Sequence, residues 1–287
     1  MNGLIVLLSF IWGINWVFMK LANGVFPPVL FAGIRFAVGS AVLLAVCLYR
    51  KEPLPKWKDF KWFVVCGVLQ TAWFNLAIQL SLNALSAGLT SVLTYSMPLW
   101  MAVLAHFWIP GERLTVRKSA GVAVGIAGLF LAMDARLGGS AGWVLMALSS
   151  GVTWAVSNLI IKRKLAHCRQ LPFTAWQMAA GAALLLLYSL MFEHGTSRWS
   201  VSSVFYIAFS GCVGSAFAFL LWSRILAKAE ASRASVSLML VPVIGVWSGV
   251  LMLHERLHWT MVLGLACVLA GIGLVNWKKP EAATSAA

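Results

Sequence analysis

Acid is what this chain most lacks. It has eight Asp and Glu in 287 residues, and only 10% of its residues are charged. A soluble globular domain carries about 25%. With 61% hydrophobic residues and a mean hydropathy of +0.87, a water-soluble fold is excluded and an integral membrane protein is indicated. The eight acids are Glu52, Asp59, Glu112, Asp134, Glu193, Glu230, Glu255 and Glu281, and none falls in the middle of an apolar run. That leaves no intramembrane carboxylate to relay protons. His106 is the nearest titratable alternative, and its place near a span end suits an interfacial histidine. The five cysteines lack metal-ligand spacing along the chain and suggest no disulfide framework. There is no G-x-S-x-G or H-E-x-x-H, which argues against a membrane-embedded enzyme. No basic n-region or A-x-A site marks a cleavable signal peptide at "MNGLIVLLSF". No cofactor motif and no metal site are evident.

What the chain has instead is apolar runs of about 20 residues, the length needed to cross a bilayer as a helix. Ten are expected, near 3–22, 29–49, 61–82, 88–108, 116–133, 142–161, 172–191, 202–223, 234–253 and 259–277. The formal charge is +14. Such a charge could mean nucleic acid, but its distribution points to a membrane. With the N-terminus inside, the inner connections and tail hold seventeen Lys and Arg, from Arg50 to Lys279. The outer ones hold three, Arg136, Arg198 and Arg256. That asymmetry predicts both termini in the cytoplasm and an even number of spans, in the cell inner (plasma) membrane, with lipid rather than nucleic acid as the surrounding partner.

The halves repeat one another. "GERL" at 111–114 matches "HERL" at 254–257, and Gly121, Gly128 and Leu131 align with Gly264, Gly271 and Leu274. Ser91 and Pro98 align with Ser235 and Pro242. Trp12 and Lys20 align with Trp154 and Lys162, and Arg35 and Gly39 with Gln177 and Gly181. The offsets are 142 to 144 throughout. Two units are predicted, 1–134 and 139–279, followed by a cytoplasmic tail, 280–287. Five spans per unit is an odd number, so the second unit crosses in the opposite sense. The expected fold class is all-α and integral to the membrane, with ten transmembrane helices in two inverted five-helix repeats, the architecture of many alternating-access transporters.

One face of the first run carries Trp12, Asn15, Trp16 and Met19 at i, i+3, i+4 and i+7, and Trp154 and Asn158 repeat the i, i+4 pair. A buried amide without a partner is costly in hydrocarbon, so these faces look into the bundle or a wet cavity. Asn as helix–helix glue and Trp as an interfacial anchor are the plainer alternatives. By the same logic Gln70 and Phe74 (with Trp73 beside them), Tyr95, Trp176, Gln177, Phe217 and Met239 are candidate substrate contacts, the last two aligned with Trp73 and Tyr95. Pro98 and Pro242 are expected to loosen their helices. Arg35 is the one cation about 10 Å inside a span end. It meets helix-end carbonyls, an outer acid such as Asp134 or Glu255, or an anionic group of a substrate. The G-x-x-x-G at 121–125, with Ala266 and Ala270 at matching spacing, makes helices five and ten a scaffold or a homodimer contact.

The order of these features, namely W-G-x-N-W at 12–16 with Lys20 four residues on, Arg35 early in the second run, a proline in the fourth run of each half and "ERL" before each closing run, resembles the drug/metabolite transporter superfamily and its EamA-type branch. The second half departs from the pattern, with Ala155 and Asn158 where the first half has Gly13 and Trp16. The resemblance implies export or exchange of a small metabolite, such as an amino acid, or of a drug. A channel or a non-transporting receptor is the alternative. With no membrane carboxylate, facilitated diffusion or exchange is favoured over proton coupling. The many aromatic residues, 15 Trp and 16 Phe, suit an amphipathic ligand.

Overall fold

In a computed structural model, residues 2–109, 114–133, 140–228 and 238–276 are described. Most of "GERL", Asp134, Arg136, Ser235 and the tail 280–287 lie outside them. The described residues are helical, with no strand. We number the helices α1 (Asn2–Ala22), α2 (Pro28–Tyr49), α3 (Trp57–Ser81), α4 (Ala87–Trp108), α5 (Val116–Ala132), α6 (Ala141–Lys164), α7 (Gln170–Phe192), α8 (Val201 to Lys228), α9 (Leu240–Leu253) and α10 (Trp259–Asn276). Seven are long and apolar enough to cross a membrane: α1 to α4 and α6 to α8. The other three are shorter, and α9 has only 14 residues, or about 21 Å at helical rise. The expected run 234–253 is longer, but its first four residues fall outside the described ones.

Helix starts follow local chemistry. Pro28 opens α2 with its fixed φ. Ser86, Thr115 and Ser200 cap α4, α5 and α8 by accepting from Leu89, Lys118 and Ser203 backbone N–H groups. Two helix N-termini are instead held by acids from the second half. Val29 and Leu30 N–H donate to the two carboxylate oxygens of Glu193, at 2.9 and 2.8 Å. Ala87 and Gly88 N–H donate to those of Glu255, at 2.7 and 3.2 Å. The orphan N–H groups and the positive end of each helix dipole attract these anions. Lys20 adds an ion pair to Glu255 at 3.2 Å and donates to the Leu85 carbonyl at 2.8 Å. Glu255 is therefore not the partner of Arg35.

Three departures from regular α-helix matter. In α4 the helix breaks between Thr94 and Met97, with Pro98 in the first turn of the second piece. This is the loosening expected of a proline that cannot donate to the preceding turn. The other two are π-helical segments, Gly67–Trp73 in α3 and Phe209–Phe217 in α8. Close glycine packing accompanies both. A Cβ on Gly67 would sit 2.6 Å from the Gln177 carbonyl of α7, and one on Gly211 would sit 2.9 Å from the Arg35 carbonyl of α2. Gln177 and Arg35 are the pair that the two halves align, so α3 meets α7 as α8 meets α2.

The small-residue faces of α5 and α10 pack on each other. A Cβ on Gly128 would stand 2.7 Å from the Gly264 carbonyl, close enough that only glycine fits. Gly121 and Gly125 are used within the chain, against Gly271, whereas Ala266 and Ala270 are exposed and take no part in that packing. Inside the bundle, Asn15, Arg35, Gln70, Thr71, Asn75, Gln79, Asn158 and Gln177 are all buried. Leu48, Phe130, Leu145, Leu190 and Phe205 are exposed on its outside. Polar residues inward and apolar residues outward is the order a lipid solvent imposes.

Candidate functional site

A cavity opens among α1, α2, α3, α4, α6 and α8, in the half of the bundle nearer the α1–α2 connection. Trp12, Asn15, Trp16, Arg35, Phe74, Tyr95 and Trp154 line it, together with Met19, Asn75, Ile78, Gly214 and Phe219. It contains about 370 Å³ of unfilled space. Only about 40 Å³ of that admits the centre of a water molecule, which is room for roughly three waters.

Each wall has a cause. Trp12 and Trp16 lie one turn apart on α1, and Asn15 lies between them. Trp12 donates through Nε1 to the Gly214 carbonyl at 3.0 Å, within the π-helical segment of α8. Its ring meets Trp154 edge-on at 5.8 Å and Phe219 at 5.8 Å. Trp154 packs against Phe74 at 4.4 Å, and Tyr95 meets Trp16 at 6.3 Å. Phe74, Tyr95 and Trp154 also line a second, smaller space with Thr94, Met97 and Leu238. They form an aromatic partition between the two.

Arg35 is buried, at 3% exposure. Its Nη2 donates to Asn75 Oδ1. Asn75 is held in turn by donating to the Thr71 carbonyl at 2.8 Å. The guanidinium carbon lies 4.5 Å from the Phe36 ring centroid, and Nε has no hydrogen-bond partner among the described residues. An amide cannot neutralise a guanidinium, and among the described residues no acid pairs with it. Asn15 Oδ1 and Trp154 Nε1 also lack partners although buried. Three residues that line one cavity thus each hold a buried polar atom without a partner among the described residues: two donors, one of them cationic, and one acceptor.

Six other candidates lie elsewhere. Gln70 and Asn158 meet each other between α3 and α6, Gln70 Nε2 donating to Asn158 Oδ1 at 3.5 Å, with Ser157 and Met97 beside them. Gln177 accepts from Thr71 Oγ1 at 3.3 Å, between α3 and α7. Trp176 packs on Phe60 at 5.9 Å. Met239 packs against the apolar core around α5 and α10. Phe217 is 47% exposed on the outside of the bundle, as is its counterpart Trp73 at 43%. Both close the π-helical segments. There the backbone bonds i to i+5; Gln70 turns to Asn158 of α6 while Phe74 lines the cavity. Asn75 lines the cavity beyond the residues the sequence pointed to, and the signal for it is the polar i, i+4 series of Thr71, Asn75 and Gln79 on α3.

The EamA-like transporter family matches residues 1–133 and again residues 141–277. The chain is 30% identical over 278 residues to an uncharacterized transporter, YvbV, of Bacillus subtilis, covering 96% of this chain and 91% of that one. It is 26% identical over 284 residues to a probable amino-acid metabolite efflux pump of Salmonella typhimurium, covering 94% and 92%. A crystal structure 21% identical in sequence superimposes with a TM-score of 0.70 over 96% of this chain and 98% of that one, and shares its fold. Family, relatives and apolar helices agree: this is a multi-pass membrane protein, a transporter by kinship rather than an enzyme, and the chain belongs to the EamA-like transporter family.

Proposed function

We propose that the protein is a secondary carrier that exports or exchanges a small amphipathic zwitterion, an amino acid or a close metabolite of one, across the cell membrane by alternating access. The observation that carries this reading is the set of unpartnered buried polar atoms on residues that line one aromatic cavity. Arg35 Nε suits a carboxylate and Asn15 Oδ1 an ammonium. The indole and phenyl walls suit an apolar side chain. A buried guanidinium without a neighbouring anion is costly, and a bound carboxylate relieves that cost.

The small free volume also fits. A cavity with room for a few waters cannot admit a metabolite until helices part, as a carrier caught between its open states requires. The crossed packing of α3 on α7 and α8 on α2, the matching π-helical segments and the twofold family match support two inverted five-helix units, and the excess of Lys and Arg in the inner connections supports cytoplasmic termini. Efflux is the direction that the Salmonella relative's name suggests. With no acid in the middle of any apolar run, exchange or facilitated diffusion is the favoured energetics.

The test is thermal stabilisation of purified protein across a panel of metabolites, followed by counterflow in liposomes. Apolar zwitterionic amino acids should raise the melting temperature and show saturable stimulation by unlabelled substrate on the far side. Flux without such stimulation would indicate a channel. Stabilisation confined to uncharged or cationic compounds would exclude the zwitterion.

A further inference from the structure

At the end of the bundle remote from the cavity, three metal-binding side chains converge. Asp59 stands in the first turn of α3, and His167 and Cys168 in the connection between α6 and α7. His167 Nε2 lies 3.2 Å from Asp59 Oδ1, and Cys168 Sγ lies 3.5 Å from His167 Nε2. All three ligand atoms fall within 4.8 Å of one another. Asp59 and His167 are 108 residues apart, which is why no ligand spacing shows in the sequence.

The distances match a tetrahedral ion. With Zn–N near 2.0–2.1 Å, Zn–O near 2.0–2.2 Å and Zn–S near 2.3 Å, tetrahedral ligands sit roughly 3.4–3.6 Å apart. The 3.2 and 3.5 Å separations need only small adjustments to reach that, and the third, from Cys168 Sγ to the Asp59 carboxylate, is within 4.8 Å. Metal-free, the same distances serve hydrogen bonds, so the cluster is already assembled without an ion. Neighbouring contacts fix it further: Cys168 N–H donates to the Leu165 carbonyl at 3.0 Å, and Arg169 Nη1 to Glu52 Oε2 at 2.6 Å. A solvent-open space of about 210 Å³ adjoins the three groups, enough for a water as fourth ligand. Lys56 also lines that space and opposes a cation. A thiolate and a carboxylate together more than offset the charge of one lysine.

We propose that Asp59, His167 and Cys168 bind a borderline divalent cation, Zn²⁺ above all, and that the ion ties α3 of the first half to the α6–α7 connection of the second. The mixed sulfur, nitrogen and oxygen set selects Zn²⁺ or Co²⁺ over the hard ions Mg²⁺ and Ca²⁺, which want oxygen alone. Binding stands apart from the transport reading, because it is measured without any substrate.

The experiment uses the full-length protein, purified without a polyhistidine tag, treated with chelator and titrated with Co²⁺. A sulfur-to-cobalt charge-transfer band and visible bands of tetrahedral intensity are expected, and Zn²⁺ should bleach both. Cys168→Ser should abolish the charge-transfer band. Asp59→Asn and His167→Gln should keep it but weaken affinity at least about tenfold, while metal-free melting temperatures stay near that of the parent. Should Cys168→Ser fail to fold, His167→Gln decides alone, and unchanged affinity there overturns the site. So does the absence of a band in the parent protein, or a band that survives Cys168→Ser, which would place the metal on another thiol.

Discussion

Replacing Arg35 by Gln separates substrate recognition from scaffolding. The guanidinium is buried at 3% exposure, and its hydrogen bond within the protein goes to an amide, Asn75. Gln is the residue aligned with it in α7, and it retains a donor for Asn75. If Arg35 holds a substrate carboxylate, the variant loses a charge-assisted hydrogen bond worth about 1.5–3 kcal/mol. That corresponds to roughly 10- to 150-fold in affinity. The loss should fall on an amino acid and spare its amide, which has no carboxylate to lose. Removing a buried charge should leave the melting temperature unchanged or raise it. The assay is counterflow inhibition by the amino acid and its amide in proteoliposomes, alongside thermal unfolding. Equal losses for both ligands with a lower melting temperature would put Arg35 in the scaffold and refute the carboxylate reading.

Trp16→Ala and Asn15→Ala should each lower transport while membrane expression holds, and wild-type uptake in both would return those residues to packing. Gly128→Val should cost about 1–3 kcal/mol, because its Cβ would stand 2.7 Å from the Gly264 carbonyl; an unchanged melting temperature would mean that α5 and α10 are not so closely packed. Glu255→Ala should cost about 1–2 kcal/mol, since two helix N–H groups and Lys20 lose their anion; no change in thermal unfolding would mean that water replaces the carboxylate freely. Reporter fusions at Gly139 and Ala287 should report opposite compartments, and the same compartment for both would sink the inverted repeat.

The residues gathered at the cavity were readable where helices are regular. Trp12, Asn15 and Trp16 share a face of α1 because that helix runs unbroken, so the 3.6-residue wheel holds. Arg35 stood out because a charge in an apolar run is rare, whatever its partner. The wheel fails where the backbone departs from it. The π-helical segments of α3 and α8 have no distinctive composition, and Phe217, which closes one of them, stands outward. The partner of Arg35 was hidden for a different reason. Asn75 is an ordinary amide on another helix, and only the tertiary fold brings the two together. The apolar run expected over 234–253 ends where α9 does, at Leu253, and His254 after it has a left-handed φ of 53°. That turn brings Glu255 back onto α4, and an apolarity count carries no trace of it.

The indoles at the cavity have an optical consequence. Trp12 lies 5.8 Å from Trp154 with ring planes at 89°, and 6.2 Å from Trp222 at 53°. Neighbouring chromophores in non-parallel planes couple their electronic transitions, and the coupling falls with about the cube of their separation. The three rings stand on α1, α6 and α8. Parting those helices by a few ångströms should therefore weaken a paired near-ultraviolet circular-dichroism signal, so the protein carries its own label-free readout of whether the chamber is shut.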